Sequence, residues 1–271
     1  LPVFSNFLVQ EDKRGIAILY ITPLRALNRD MIRRLSFWAE RLGISVEVRH
    51  GDTEMRIRRR QALRPPNMLV TTPETLQAIL PGSRMRQHLS FVRFVIIDEV
   101  HELAADKRGT QLMIALERLL EVSEKEFQRI GLSATVGNPE EIAQFIAGTS
   151  RSVSIVDVPL PKGYHYDVEF PFPEDADFDL AGKLRTAPEA VARIRRMMNL
   201  VENHKSTLIF VNSRTNAEML GSKFNQLTSD IAVHHGSLLR EERARIEDEF
   251  KAGRLKAIVC TSTLELGIDI G

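Results

Sequence analysis

Short apolar runs alternate with amphipathic stretches along nearly the whole 271-residue chain. Ile16–Ile21, Met68–Thr71, Phe91–Ile97, Leu208–Val211 and Ala257–Thr261 are almost continuously apolar. A strand with one wet face would alternate apolar and polar residues, so these runs read as strands buried on both faces. Ser45–Arg49, Gln128–Leu132 and Ile231–His234 complete the set of strands. Helical periodicity covers the segments between them, at 24–42, 56–62, 73–80, 108–121, 139–146, 187–202, 215–227 and 240–252. Strand followed by helix, repeated, predicts an α/β fold with parallel sheets covered on both faces. Two such blocks flank a stretch where Pro159, Pro161, Pro171 and Pro173 are laced with Asp157, Asp167, Glu169, Glu174, Asp175, Asp177 and Asp179. Proline lacks a backbone donor, so 156–183 is expected to be a connector without a regular helix, holding at most an edge strand at Tyr164–Phe170. The expected domains are therefore 1–155 and 184–271.

Composition narrows the function classes. Lys and Arg number 37 against 36 Asp and Glu, so no bulk charge announces a polyelectrolyte partner. Cys260 is the one cysteine, which excludes an intramolecular disulfide or a cysteine-cluster metal site and fits a reducing compartment. No apolar run reaches the roughly 18 residues of a membrane helix, and no basic segment precedes the short apolar N-terminus. The chain opens on Leu1 rather than Met, so it is expected to start inside a longer protein or to be processed.

In open parallel sheets, ligands gather outside the carboxyl ends of the strands. There the chain places Asp98-Glu99-Val100-His101 after a fully apolar strand. One carboxylate holding Mg²⁺ through water beside a second that activates a water is the donor set of phosphoryl transfer, although an acidic turn has the same sequence. Ser133-Ala134-Thr135 follows the next strand and offers two small hydroxyls, as an ordinary polar turn also does. Thr22-Pro23-Leu24-Arg25 and Thr71-Thr72-Pro73-Glu74 repeat one design, strand, threonine, proline, helix. Free N–H groups at such a helix start suit a backbone phosphate, and a plain capped helix needs the same residues. The run Arg56, Arg58, Arg59, Arg60 and Arg64 is either a solvated helix face or a nucleic-acid-facing one. His234 and His235 are adjacent in a strand and so point to opposite faces, which disfavours one shared metal ion.

Taken in order, these segments resemble superfamily 2 helicases and, more narrowly, the large-helicase-related (Lhr) family, over most of the chain from Ile16 to Gly271. Ile21–Leu27 resembles motif Ia, Thr71–Glu74 motif Ib, Asp98–His101 a DEVH form of motif II, and Ser133–Thr135 motif III. Phe210–Arg214 resembles motif IV, His235–Ser237 the segment IVa, and Thr261–Gly271 motif V. The stretch Thr263-Leu264-Glu265-Leu266-Gly267-Ile268-Asp269 favours Lhr over the Ski2-like helicases.

The resemblance implies two RecA-like domains in tandem, with ATP between them and single-stranded or partly duplex nucleic acid, DNA favoured, across both. It implies movement 3′ to 5′ and a prokaryotic, cytoplasmic, nucleoid-associated protein with no membrane partner. By the same resemblance Asp98 holds Mg²⁺ through water and Glu99 activates the attacking water. His101, Ser133 and Thr135 couple hydrolysis to strand movement. Thr22, Arg25, Gly51, Thr72, Ser213, Arg214 and Thr261 lie along the strand backbone, and Gly267 and Asp269 approach the nucleotide.

Two parts of the family pattern are absent. No G-x-x-x-x-G-K-[ST] phosphate loop occurs, and no arginine-rich motif VI follows motif V. The expectation is a helicase fragment whose first sheet lacks the phosphate-loop strand, leaving a gap or an exposed edge, and which hydrolyses no ATP alone. Two other functions fit the same motifs: a strand-binding module that does not hydrolyse ATP, and a duplex-DNA translocase subunit of a restriction or remodelling complex.

Overall fold

The computed structural model describes residues 1–10, 13–23, 25–133, 136–157 and 165–261. The chain divides into two compact units, 1–160 and 161–271.

The first unit runs α1 (Pro2–Leu8), β1 (Ile18–Ile21), α2 (Arg25–Leu42), β2 (Val46–Arg49), α3 (Met55–Leu63), β3 (Met68–Thr71), α4 (Pro73–Ile79), α5 (Ser83–Leu89), β4 (Phe94–Ile97), α6 (Val100–Ala104), α7 (Lys107–Leu120), β5 (Gln128–Gly131) and α8 (Pro139–Ala147). Its five strands form one parallel sheet in the order β2-β3-β1-β4-β5. Side chains alternate across it. Leu19, Ile21, Leu69, Val95 and Ile97 enter a core with α4, α5 and α7. Ile18, Tyr20, Met68, Val70 and Phe94 enter a second core with α1 and α2. Both faces are dry along β1, β3 and β4, and that is why these three read as apolar runs. The register aligns Arg49, Thr71, Ile21, Ile97 and Gly131 along one edge, so the residues after them stand in a row. The sheet has no gap. Its β5 edge is half open, with Gln128 and Gly131 exposed.

The second unit contains α9 (Asp175–Leu184), α10 (Pro188–Asn203), β6 (Thr207–Phe210), α11 (Arg214–Phe224), β7 (Ile231–His234), α12 (Arg240–Lys251) and β8 (Ala257–Cys260). Its strands form a parallel sheet in the order β6-β8-β7. Val191, Ile194, Phe224 and Val259 build the core on one face, and Ile246, Phe250 and Ile258 that on the other.

Helix α9 corrects the expectation that 156–183 holds no regular helix. The prolines end at Pro173, and the helix starts two residues later. The Asp177 carboxylate accepts the Glu174 N–H at 2.9 Å, tying off the first turn. It also takes Arg195 of α10 at 3.1 and 3.3 Å, docking α9 on α10. The acidity that resembled a linker is partly a helix start and its anchor. The other expectation for this stretch, an edge strand at Tyr164–Phe170, is not met over 165–170, which pairs with no strand.

The Glu174 N–H and then Arg195 hold the Asp177 carboxyl below the usual carboxylate range. A lowered native pKa stabilises the fold above the ordinary carboxylate pKa of about 4, and that stabilisation is lost as pH falls through the native value. Asp177→Asn is expected to lower the melting temperature at neutral pH, with the gap to wild type closing on acidification. Thermal melts across pH 7 to pH 2.5 check this; a constant gap would count against it.

Candidate active site and nucleic-acid interface

The row beyond the first sheet begins with Asp98, directly after β4. Glu99 follows with φ 47° and ψ 46°, a left-handed conformation that is unusual for a residue with a side chain. That turn ends the strand sharply and starts α6. It also folds the Glu99 N–H back onto Asp98 Oδ1 at 3.1 Å. Tyr20, one strand over on the same face, donates its hydroxyl to Asp98 Oδ2 at 2.8 Å. Burial first, then the Asp98 charge, pushes the Tyr20 hydroxyl far above its ordinary pKa, so it remains a donor. Asp98 is therefore oriented by two donors before any ligand arrives.

Glu99 is half-buried. Burial and then the Asp98 charge raise its pKa, while His101 opposes the shift. His101 stands two residues along with Nε2 3.6 Å from Glu99 Oε2. Its Nδ1 lies 3.1 Å from Ser133 Oγ, beyond β5. Ser133, distant in sequence, thus joins Asp98, Glu99 and His101 in one connected cluster. The remaining coupling candidate, Thr135, lies outside the described residues.

Thr22 and Thr72 occupy the same edge but are buried, at 0% and 5% exposure. Thr72 caps α4, its hydroxyl accepting the Thr75 N–H at 3.4 Å. Arg108, at the start of α7, joins the two threonine-proline turns: its Nε bonds Glu74 at 2.5 Å and its Nη2 donates to the Pro23 carbonyl at 2.8 Å. Arg25 opens α2. Gly51 is exposed, and its carbonyl accepts Arg58 at 2.6 Å. The basic run on α3 is accordingly mixed, with Arg58 turned inward and Arg56, Arg59 and Arg64 exposed.

In the second unit, Ser213 caps α11 by accepting the Asn216 N–H at 3.1 Å. Arg214 follows, exposed, and donates to Ser237 Oγ at 2.6 Å. Arg214 and Ser237 border a shallow groove with Glu218 and His235. Thr261 follows β8, level with Val211 and His235. His234 bonds Glu247 on α12 at 2.9 Å and His235 bonds Glu218 on α11 at 2.6 Å, so the two rings serve different helices. Gly267 and Asp269 lie outside the described residues. Among the described residues no cluster of three or more His, Cys, Asp or Glu is arranged to hold a metal directly. No described helix is long and apolar enough to cross a membrane.

Two domain families match the chain: DEAD/DEAH box helicase over residues 1–142, and helicase conserved C-terminal domain over residues 189–271. The chain belongs to the DEAD/DEAH box helicases, with two tandem RecA-like α/β domains.

Relatives of the Lhr type match nearly all of it, as the motif V stretch suggested. It is 38% identical to the Lhr helicase/probable uracil glycosylase of Mycolicibacterium smegmatis, over 97% of this chain and 20% of that protein. It is 40% identical to ATP-dependent helicase Lhr-Core protein 2 of Thermococcus barophilus, over 96% of this chain and 32% of that one. The structure of Mycobacterium smegmatis helicase Lhr bound to ssDNA and AMP-PNP superimposes with a TM-score of 0.78 at 40% identity, covering 96% of this chain and 35% of that one. The chain thus spans a fifth to a third of the length of these curated relatives.

Sequence reasoning missed Tyr20 and Arg108. Tyr20 reads as one more apolar strand residue. Its signal was its place: two residues before the strand-end threonine, with the parity that faces the helix layer shared by Asp98.

Proposed function

We propose that this chain is the motor core of an ATP-dependent helicase that moves 3′ to 5′ on single-stranded nucleic acid, DNA in preference to RNA, in a prokaryotic cytoplasm near the nucleoid. The observation that carries the reading is the Asp98–Glu99–His101–Ser133 cluster at the carboxyl edge of a parallel sheet. Glu99 acts as the base toward the attacking water, its carboxylate kept basic by burial and by Asp98. Asp98 suits Mg²⁺: it is a hard oxygen donor whose orientation Tyr20 and Glu99 already fix. Magnesium, when bound, supplies charge neutralisation on the phosphates. His101 carries a change at Glu99 to Ser133, and Thr135 extends that link. Ser213, Arg214 and Thr261, with Gly51 and the Thr22 and Thr72 helix starts including Arg25, line the strand path. Gly267 and Asp269 serve the nucleotide. Contacts to phosphates are indifferent to base identity and weaken with salt.

A phosphate loop and an arginine finger are missing from the 271 residues. We propose that both come from outside them in the working protein. The 271-residue chain is then expected to bind a single strand and to show no strand-stimulated ATP hydrolysis, while the whole protein shows both. Helicase-like turnover by the 271 residues alone would overturn the assignment of these missing parts. A whole protein that binds strands but never hydrolyses ATP would overturn the motor itself.

A further inference from the structure

Arg214 and Glu218 are four residues apart on α11, the spacing at which opposite charges on a helix normally pair. Here they do not: among the described residues Arg214 makes no ion pair, and its guanidinium instead donates to Ser237 Oγ at 2.6 Å. Glu218 is held elsewhere, its Oε1 2.6 Å from His235 Nε2. The ring's other nitrogen fixes the tautomer. His235 Nδ1 accepts the Ser237 N–H at 3.2 Å, so the proton sits on Nε2 and is directed at Glu218. His235 is 4% exposed and cannot readily turn away. One buried imidazole therefore draws the carboxylate aside and anchors the Ser237 turn on which Arg214 rests.

We propose that His235 and Ser237 are positioning residues that keep Arg214 unneutralised for a phosphodiester of the bound strand. The guanidinium has five N–H donors and Ser237 uses one, leaving the others for phosphate oxygens. Loss of His235 frees the Glu218 carboxylate, and loss of the Ser237 hydroxyl frees the Arg214 guanidinium; either way the two meet at the helical spacing and the anion site is quenched from within. This rests on the reading of Arg214 as a strand contact and adds what makes that contact available.

The experiment measures binding of a fluorescent oligo-dT to the 271-residue chain across a salt series. Arg214→Ala is expected to weaken binding by about 10-fold and to reduce the salt slope by about 0.7, one single-strand phosphate contact. Ser237→Ala and His235→Ala are each expected to reproduce most of that loss. The double variants S237A/E218Q and H235A/E218Q are expected to recover to within about 2-fold of wild type, because the quenching charge is gone. A purely structural role for His235 predicts no such rescue. If Arg214→Ala leaves binding unchanged, the strand-contact reading fails. If Arg214→Ala weakens binding but removing the Glu218 charge rescues neither partner variant, the diversion of Glu218 is wrong. Ser237 is exposed, so its pair of variants decides the matter even if His235→Ala does not fold.

Discussion

Glu99→Gln in the whole protein should leave nucleotide and strand binding in place while ATP hydrolysis collapses by about 10²–10⁴-fold, the span that a positioned general base contributes. Size and shape are nearly conserved, so the substitution tests charge and basicity alone. What Glu99 does for the architecture belongs to its backbone: the left-handed turn and the N–H donated to Asp98 at 3.1 Å. Glutamine keeps both, whereas proline or a β-branched residue would break the turn. Asp98 also keeps its second donor from Tyr20. The measurement pairs strand-saturated ATPase rates with nucleotide and oligonucleotide titrations on one preparation. A parallel fall in binding and turnover would mean that the side chain supports the site structurally, and the base would have to be sought elsewhere. Loss confined to turnover assigns the base to Glu99.

The same turn shows how far the sequence is informative. Strand β3 has the ends that its apolar run suggested, because burial on both faces leaves a local signature. Asp98 and Glu99 were recognisable since a strand end, unlike a helix face, puts consecutive residues at the open edge. What the sequence concealed depends on partners distant in the chain. Tyr20 becomes a donor to Asp98 only because β1 and β4 are neighbours, 78 residues apart at that contact. Arg108 braces the two threonine-proline turns across gaps of 34 and 85 residues. The His235–Glu218 bond, 17 residues apart, has no periodic trace at all. Thr22 and Thr72 show the opposite limit: the repeated design was visible, but not that both side chains would be buried. Helix α9 was hidden by composition, since prolines up to Pro173 outweighed the helix start that follows.

Gly109→Ala is expected to destabilise the first unit by about 3 kcal/mol, the upper end of the range for overpacking a dense interior. A Cβ at Gly109 would stand 1.9 Å from the Leu103 carbonyl oxygen and 2.5 Å from its carbon. Those are backbone atoms, so no rotamer change relieves the clash and α6 itself must move off α7. Leu103 of α6 and Leu112, Ala115 and Leu116 of α7 are buried in one core. For a unit of this size the cost corresponds to a melting-temperature drop of roughly 6–12 °C. Function should suffer beyond stability, because α6 carries His101, and a displaced α6 pulls its ring from Ser133, now 3.1 Å away. Gly182 is the contrasting case. It lies within α9 with nothing inside 4 Å of a Cβ, so Gly182→Ala should stabilise the second unit by about 0.5–1 kcal/mol through helix propensity. Differential scanning calorimetry of the two variants separates the terms. A neutral Gly109→Ala would mean that α6 has room to shift, and with it that the DEVH helix is less rigidly seated on α7 than their contact requires.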